Sequence, residues 1–179
     1  MVLGGIRSGK SRWAESEIAT SVGPGEPVCY VATGPKTDTD ASWSARIAAH
    51  RVRRPAHWST VETDDVATLL RHGNATATVI DDIGGWLVAV LHSRGVWTDG
   101  DASVHGDIDE LLDAVKGFAS HLVVVSPEVG LTVVPATASG RRFADELGAL
   151  NQRLAEICDR VVLIVAGQPL TVKDADDRH

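Results

Sequence analysis

The chain has 179 residues, a length suited to one core and short for two, so residues 1–179 are read as a single domain. It is 44% hydrophobic and 23% charged, an ordinary globular balance that excludes a disordered or collagen-like chain. Its 17 Lys and Arg against 24 Asp and Glu give a net charge of −7, so a general nucleic-acid or anionic-membrane binder is disfavoured and any anionic ligand needs a local basic site.

From the N-terminus, short apolar runs alternate with longer helical patterns. The runs fall at 1–3, 28–32, 58–61, 77–80, 122–126 and 161–165, with one edge strand expected at 170–172. They are continuous rather than alternating, as in a parallel sheet covered on both faces. Helices are expected at 10–21, 39–52, 64–72, 85–93, 107–118 and 138–158. The first should end at Gly23-Pro24-Gly25 and the second before Pro55. Thr63 or Asp64 is expected to cap the third. The polar stretch 95–106 reads as a surface loop, and the acidic tail 173–179 as frayed. This order predicts an open, mostly parallel α/β sheet with helices on both faces.

No apolar run approaches the length of a membrane span, and the first residues lack a signal-peptide pattern. A soluble cytoplasmic protein is the expectation. Cys29 and Cys158 both lie in apolar stretches and are expected to be buried and inert, without a disulfide framework or zinc site.

The strongest chemical signal is Gly4-Gly5-Ile6-Arg7-Ser8-Gly9-Lys10-Ser11, which fits the phosphate-binding P-loop pattern. Gly4 and Gly9 permit a tight turn with its N–H groups aimed inward, and the following helix adds its positive end. Lys10 is expected to reach the β- and γ-phosphates, and the Ser11 hydroxyl to ligate Mg²⁺. A second acid should stand at the end of a neighbouring strand. Asp81 is preferred for that role; the pair Asp81-Asp82 could instead only cap the next helix. Glu128 also follows a strand and should lie on the same edge. There is no Asn-Lys-x-Asp motif, which argues against a Ras-type GTPase.

A second constellation runs from Arg46 to Trp58. Arg46 and His50 share a helix face, and Arg51, Arg53 and Arg54 make the densest positive patch of the chain. A solvated basic helix end is one reading. An anion-handling site is another, in which the positive patch keeps His50 neutral and nucleophilic. The other histidines, among them His57, His72 and His121, show no ligand spacing.

Together these pieces resemble the bifunctional adenosylcobinamide kinase / adenosylcobinamide-phosphate guanylyltransferase family of cobalamin biosynthesis. The resemblance covers nearly the whole chain. It rests on the P-loop through Arg12, Tyr30-Val31-Ala32-Thr33, Ala45-Arg46-Ile47 with His50-Arg51, and Arg54-Pro55-Ala56-His57-Trp58. It continues through Glu62, Ser126-Pro127-Glu128-Val129-Gly130, Val134-Pro135 and Asn151-Gln152-Arg153. The resemblance implies a P-loop sheet like that of RecA, ATP and GTP as substrates, Mg²⁺, and a trimeric assembly. It implies phosphorylation of adenosylcobinamide, followed by GMP transfer from GTP through a covalent adduct on His50. It also implies nucleotide or Mg²⁺ contacts from Thr33, Gly34, Pro35, Arg51, Val52, Arg53, Arg54, Glu62 and Asp81.

The chain departs from the family pattern at Asp82-Ile83-Gly84-Gly85, at Pro127 and at Thr137-Ala138, near where the corrinoid acceptor should bind. These departures leave two rival readings. One is a kinase that has lost guanylylation; the other is a non-catalytic nucleotide-binding protein.

Overall fold

β1 (Val2–Gly4) has only three residues, yet it lies inside the sheet, bonded to β5 (Leu122–Pro127) on one side and β6 (Val161–Val165) on the other. The computed structural model describes residues 1–34, 54–73, 76–97 and 102–175. Its remaining strands are β2 (Val28–Ala32), β3 (Ser59–Glu62), β4 (Ala77–Asp81) and β7 (Gln168–Lys173). The helices among the described residues are α1 (Lys10–Val22), α2 (Val66–His72), α3 (Ile83–Ser93), α4 (His105–Gly117) and α5 (Ala138–Ile157). The helix expected at 39–52 lies outside them.

The seven strands run in the order β3-β2-β4-β5-β1-β6-β7. Every neighbouring pair is parallel except β6–β7. The expected α/β architecture is therefore present. α1 covers one face, where Ala14 and Ile18 pack against Val2, Val79, Val125 and Ile164. Leu87, Leu111, Leu147 and Leu150, from α3, α4 and α5, fill the other face against Val31, Ile80 and Val124. Burial on both faces explains why the central strands read as continuous apolar runs.

The helix starts show local chemistry. Asp65, not Thr63 or Asp64, caps α2: its Oδ1 accepts from Thr68 N at 3.2 Å, while Asp65 N donates to Thr63 Oγ1. Asp82 caps α3 by accepting from Gly85 N at 2.8 Å, so this helix begins two residues before the expected 85. Thr137 caps α5 through Gly140 N. The loop reading of 95–106 stops short, because α4 already begins at His105, and Val96 and Val104 are buried within the stretch.

Two expectations at the C-terminal end are corrected. β7 is longer than 170–172 because a two-residue turn at Ala166 and Gly167, both at positive φ, folds it back on β6; Pro169 is tolerated on this edge strand. Lys173 is not frayed. Its ammonium donates to the carbonyls of Ala155, Glu156 and Cys158 at 2.7–3.1 Å, supplying a cation and three donors to the end of α5. Cys29 and Cys158 are half-buried rather than buried, and burial pushes the Cys29 thiol above its ordinary value.

Candidate functional site at the carboxyl edge of the sheet

The parallel strands β1, β2, β3, β4 and β5 deliver their carboxyl ends to one edge. The register sets Glu62, Ala32 and Asp81 in line across β3, β2 and β4, with Val125 of β5 opposite Asp81. Gly4 of β1 stands opposite Pro127 of β5. Asp81 is thus two strand spacings from β1 and two from Glu62, about 10 Å each way.

From Gly4 the chain turns into the loop that precedes α1. Arg7 and Gly9 sit at positive φ (56° and 97°), and Ser8 N donates to Gly5 O at 3.2 Å. A Cβ on Gly4 would lie 3.0 Å from the carbonyl oxygen of Ile164 and against Ser8 Oγ, so only glycine fits there. The loop is braced from β6–β7, where Gly167 N donates to Ser8 O at 2.8 Å. Ile6 and Arg7 project to solvent. The result is a concave run of N–H groups leading into a helix N-terminus, an arrangement that can hold a phosphate.

The Lys10 ammonium makes no ion pair or hydrogen bond among the described residues, and its charge is felt at Asp82. Asp81 and Asp82 have separate surroundings although they are adjacent. Asp81 Oδ2 accepts the Tyr30 hydroxyl hydrogen bond, while Asp82 is held at the start of α3. Burial first, and then the charge of Asp81, raise the Asp82 carboxyl above its ordinary value; the Gly85 N–H and Lys10 partly offset this. Burial and Asp81 likewise raise the Tyr30 phenol. Thr33 ties the end of β2 to this pair: its N–H donates to Asp81 O at 3.2 Å and its hydroxyl to Asp82 O. Gly34, at φ 117°, passes close to Gly85 of α3.

Ser11 Oγ and Asp81 Oδ1 have no hydrogen-bond partner among the described residues, which leaves both free to take a hard cation or its water. No group of three His, Cys, Asp or Glu suited to a metal occurs among the described residues. The donor set therefore suits an ion that takes its other ligands from phosphate and water.

Of the two readings left open for the basic patch, the solvated helix end does not describe Arg54. Its side chain is 7% exposed, stacks over the Tyr30 ring at 3.4 Å, donates to Thr60 Oγ1 at 2.8 Å and lies 3.9 Å from Glu15 of α1. His50, Pro35, Arg51, Val52 and Arg53 lie outside the described residues, as does Arg46. The structure brings together the loop 4–11, Thr33, Gly34, Asp81 and Asp82; Glu62 stands exposed on the outermost strand of the same edge. Sequence reasoning missed Tyr30 as the Asp81 partner and Gly167 as the loop's brace. The chain's only tyrosine, in an otherwise small and apolar strand, was the available signal for the first.

The departures from the family pattern also fit each other. A Cβ on Gly84 would lie 2.8 Å from Cγ of the Pro127 ring, so the small residue and the proline occur as a packed pair. A Cβ on Gly85 would meet Thr33 O at 3.1 Å.

Sheet, loop and strand-end acids define a P-loop α/β fold of the NTPase type. The family model for cobinamide kinase / cobinamide phosphate guanyltransferase matches residues 1–172, and the chain belongs to that family. The bifunctional adenosylcobalamin biosynthesis protein CobP of Pseudomonas aeruginosa is 38% identical over 176 residues, covering 97% of this chain and 96% of the relative. Similar proteins include the bifunctional adenosylcobalamin biosynthesis proteins CobU of Escherichia coli (32% over 184 residues) and Salmonella typhimurium (34% over 184 residues). Each alignment with these two covers 97% of this chain and 98% of the relative.

Proposed function

We propose that this chain phosphorylates the aminopropanol hydroxyl of adenosylcobinamide with a nucleoside triphosphate. It then transfers GMP from GTP through His50 to the new phosphate, giving adenosylcobinamide-GDP in cobalamin biosynthesis. The observation that carries the reading is the loop 4–11, whose Lys10 has no ion pair among the described residues, on the same sheet edge as the Asp81 strand end, in a chain matched to the family over 1–172.

In the kinase step the N–H groups of residues 4–11 hold the phosphates, and Lys10 offsets the charge on the transferring group. Mg²⁺ held by Ser11, with Asp81 directly or through water, would neutralise the β- and γ-phosphates. In the nucleotidyl step the His50 imidazole attacks the α-phosphorus, pyrophosphate leaves, and a phosphoramidate forms. Thr33, Gly34, Pro35, Arg51, Val52, Arg53, Arg54 and Glu62 complete the nucleotide site in this reading. Arg54 contributes its charge from the stacked position on Tyr30.

The same reading includes a single domain over 1–179, a cytoplasmic location and a trimer. Among the described residues no helix is long and apolar enough to cross a membrane. Leu131, Val133 and Val134 are exposed after β5, apolar surface suited to a subunit contact and checkable by sedimentation.

Incubation with GTP and Mg²⁺, followed by intact-mass measurement, tests the function. An acid-labile GMP adduct is expected on the wild type and absent from His50→Ala. Lys10→Ala should lose cobinamide phosphorylation. Active protein without an adduct, or an adduct on His50→Ala, overturns the mechanism.

A further inference from the structure

A cavity of 460 Å³ opens between the segment that follows β5 and one face of α5. Its polar lining includes Glu128, Arg141, Asp145 and Gln152, and Val129 with Gly148 forms part of its apolar wall. Positions 141, 145, 148 and 152 recur at helical spacing, so one stripe of α5 faces the cavity. The stripe is firmly set. Asn151 is buried, accepts from Ser126 Oγ at 2.6 Å and donates to Pro127 O at 2.9 Å, locking α5 to the end of β5. Arg141 donates to the carbonyls of Pro135 and Ala136 and so closes the segment over the cavity.

The cavity adjoins the phosphate loop. Glu128 N donates to Gly4 O at 3.1 Å, which ties the cavity residue that follows β5 to the first loop residue at the end of the adjacent β1. The Glu128 carboxylate is oriented: Oε1 accepts from Gly130 N, while Oε2 has no hydrogen-bond partner among the described residues. None of the side chains named as lining the cavity is used in the nucleotide site described above.

We infer that this cavity is the acceptor site of the kinase step, and that Glu128 receives the proton of the acceptor hydroxyl. The inference rests on the proposed function. The chemistry of the lining matches an amide-rimmed alcohol. Asp145 can accept amide N–H, Arg141 and Gln152 can donate to amide carbonyls, and the apolar wall suits the edge of a macrocycle. The volume lies within the range of small-molecule sites, ~300–1,000 Å³, but is too small to enclose a corrin. The cavity therefore seats the hydroxyl-bearing amide arm and a ring edge, and leaves the rest of the corrinoid outside. In the step, the acceptor oxygen bonds to the γ-phosphorus and the bond from that phosphorus to the β,γ-bridging oxygen breaks. The hydroxyl proton passes to Glu128 Oε2, and the nucleoside diphosphate leaves with the electron pair.

The test uses the full chain with adenosylcobinamide, nucleoside triphosphate and Mg²⁺. Glu128→Gln keeps an oxygen for Gly130 N and should lower kcat for cobinamide phosphorylation by about 100-fold or more, flattening the acid limb of the pH profile. Gly148→Leu projects a side chain into the cavity and should raise the cobinamide KM by at least about tenfold, with kcat retained. Asp145→Asn, the mildest change, should raise KM in the same sense. All three should form the GMP adduct from GTP alone at the wild-type yield. Wild-type protein that forms the adduct and phosphorylates cobinamide, with Glu128→Gln and Gly148→Leu unaltered in kcat and KM, overturns the cavity assignment alone. Wild-type protein that does neither overturns the family activity and the assignment with it.

Discussion

Tyr30 donates its phenolic hydrogen bond to Asp81, and its ring face carries the guanidinium of Arg54 at 3.4 Å. One side chain therefore joins the strand-end acid of β4 to the arginine that follows the basic stretch. Glu15 of the helix after the P-loop lies against the same guanidinium. Because the phenol is mostly buried, its hydroxyl needs a partner, and Asp81 supplies it.

Two substitutions separate the halves of this contact. Tyr30→Phe keeps the ring under Arg54 but removes the hydroxyl, and should lower stability by about 1–2 kcal/mol. Tyr30→Leu also removes the stack, and the further loss should be about 0.5–2 kcal/mol. Urea denaturation measures both. Equal losses for the two variants would mean that the Arg54 stack adds no stability.

Asp82 makes stability depend on pH in a defined direction. Its folded value lies above the ordinary 3.8, so the folded chain binds this proton more tightly than the unfolded one. The contribution is fully present below 3.8 and is lost as pH rises through the folded value. Asp82→Asn has no charge to bury and can still cap Gly85. The variant should therefore gain on the wild type as pH rises from about 4 to 7. Denaturation midpoints across that range that differ by a constant amount would contradict the assignment.

Gly84 and Pro127 should behave as a coupled pair. Alanine at 84 improves helix propensity by about 1 kcal/mol, but its Cβ overlaps the proline ring at an overpacking cost of about 1–3 kcal/mol. Gly84→Ala should thus be neutral or destabilising alone, and stabilising in a Pro127→Ala background. A double-mutant cycle should return a coupling of at least about 1 kcal/mol. Independent effects would show that the two departures from the family pattern are unrelated.

Lys173 should matter more than a terminal lysine ordinarily does. It satisfies three carbonyls at the end of α5, the helix that faces the acceptor cavity. Lys173→Met should cost about 1–2 kcal/mol. Faster hydrogen exchange should follow in the last turn of α5, around Ala155 to Ile157. Unchanged exchange there would remove this role.

The alternation of apolar runs and helical patterns was enough to read the parallel α/β class, because strands buried on both faces leave unbroken apolar segments. The loop 4–11 was legible for a similar reason: its conformation demands glycine at Gly4 and Gly9, and its chemistry demands Lys10 and Ser11, all within eight positions. Helix caps were harder. Thr63, Asp64 and Asp65 are all competent caps, and only the path of the chain selected Asp65.

Contacts between distant segments left little local trace. Asp81 and Asp82 are chemically identical in sequence; the tertiary structure separated them by setting one beside Tyr30 and the other at a helix start. For Arg54 the sequence left a solvated helix end and an anion-handling site both open, and it did not show that its neighbours in space are Tyr30, Thr60 and Glu15. The net charge of −7 still counts against nucleic acid, and the sequence alone concentrated positive charge around the phosphate loop and before Trp58. Only the sheet order brought Glu128 beside Gly4, because strand pairing is decided by packing across residues far apart in the chain.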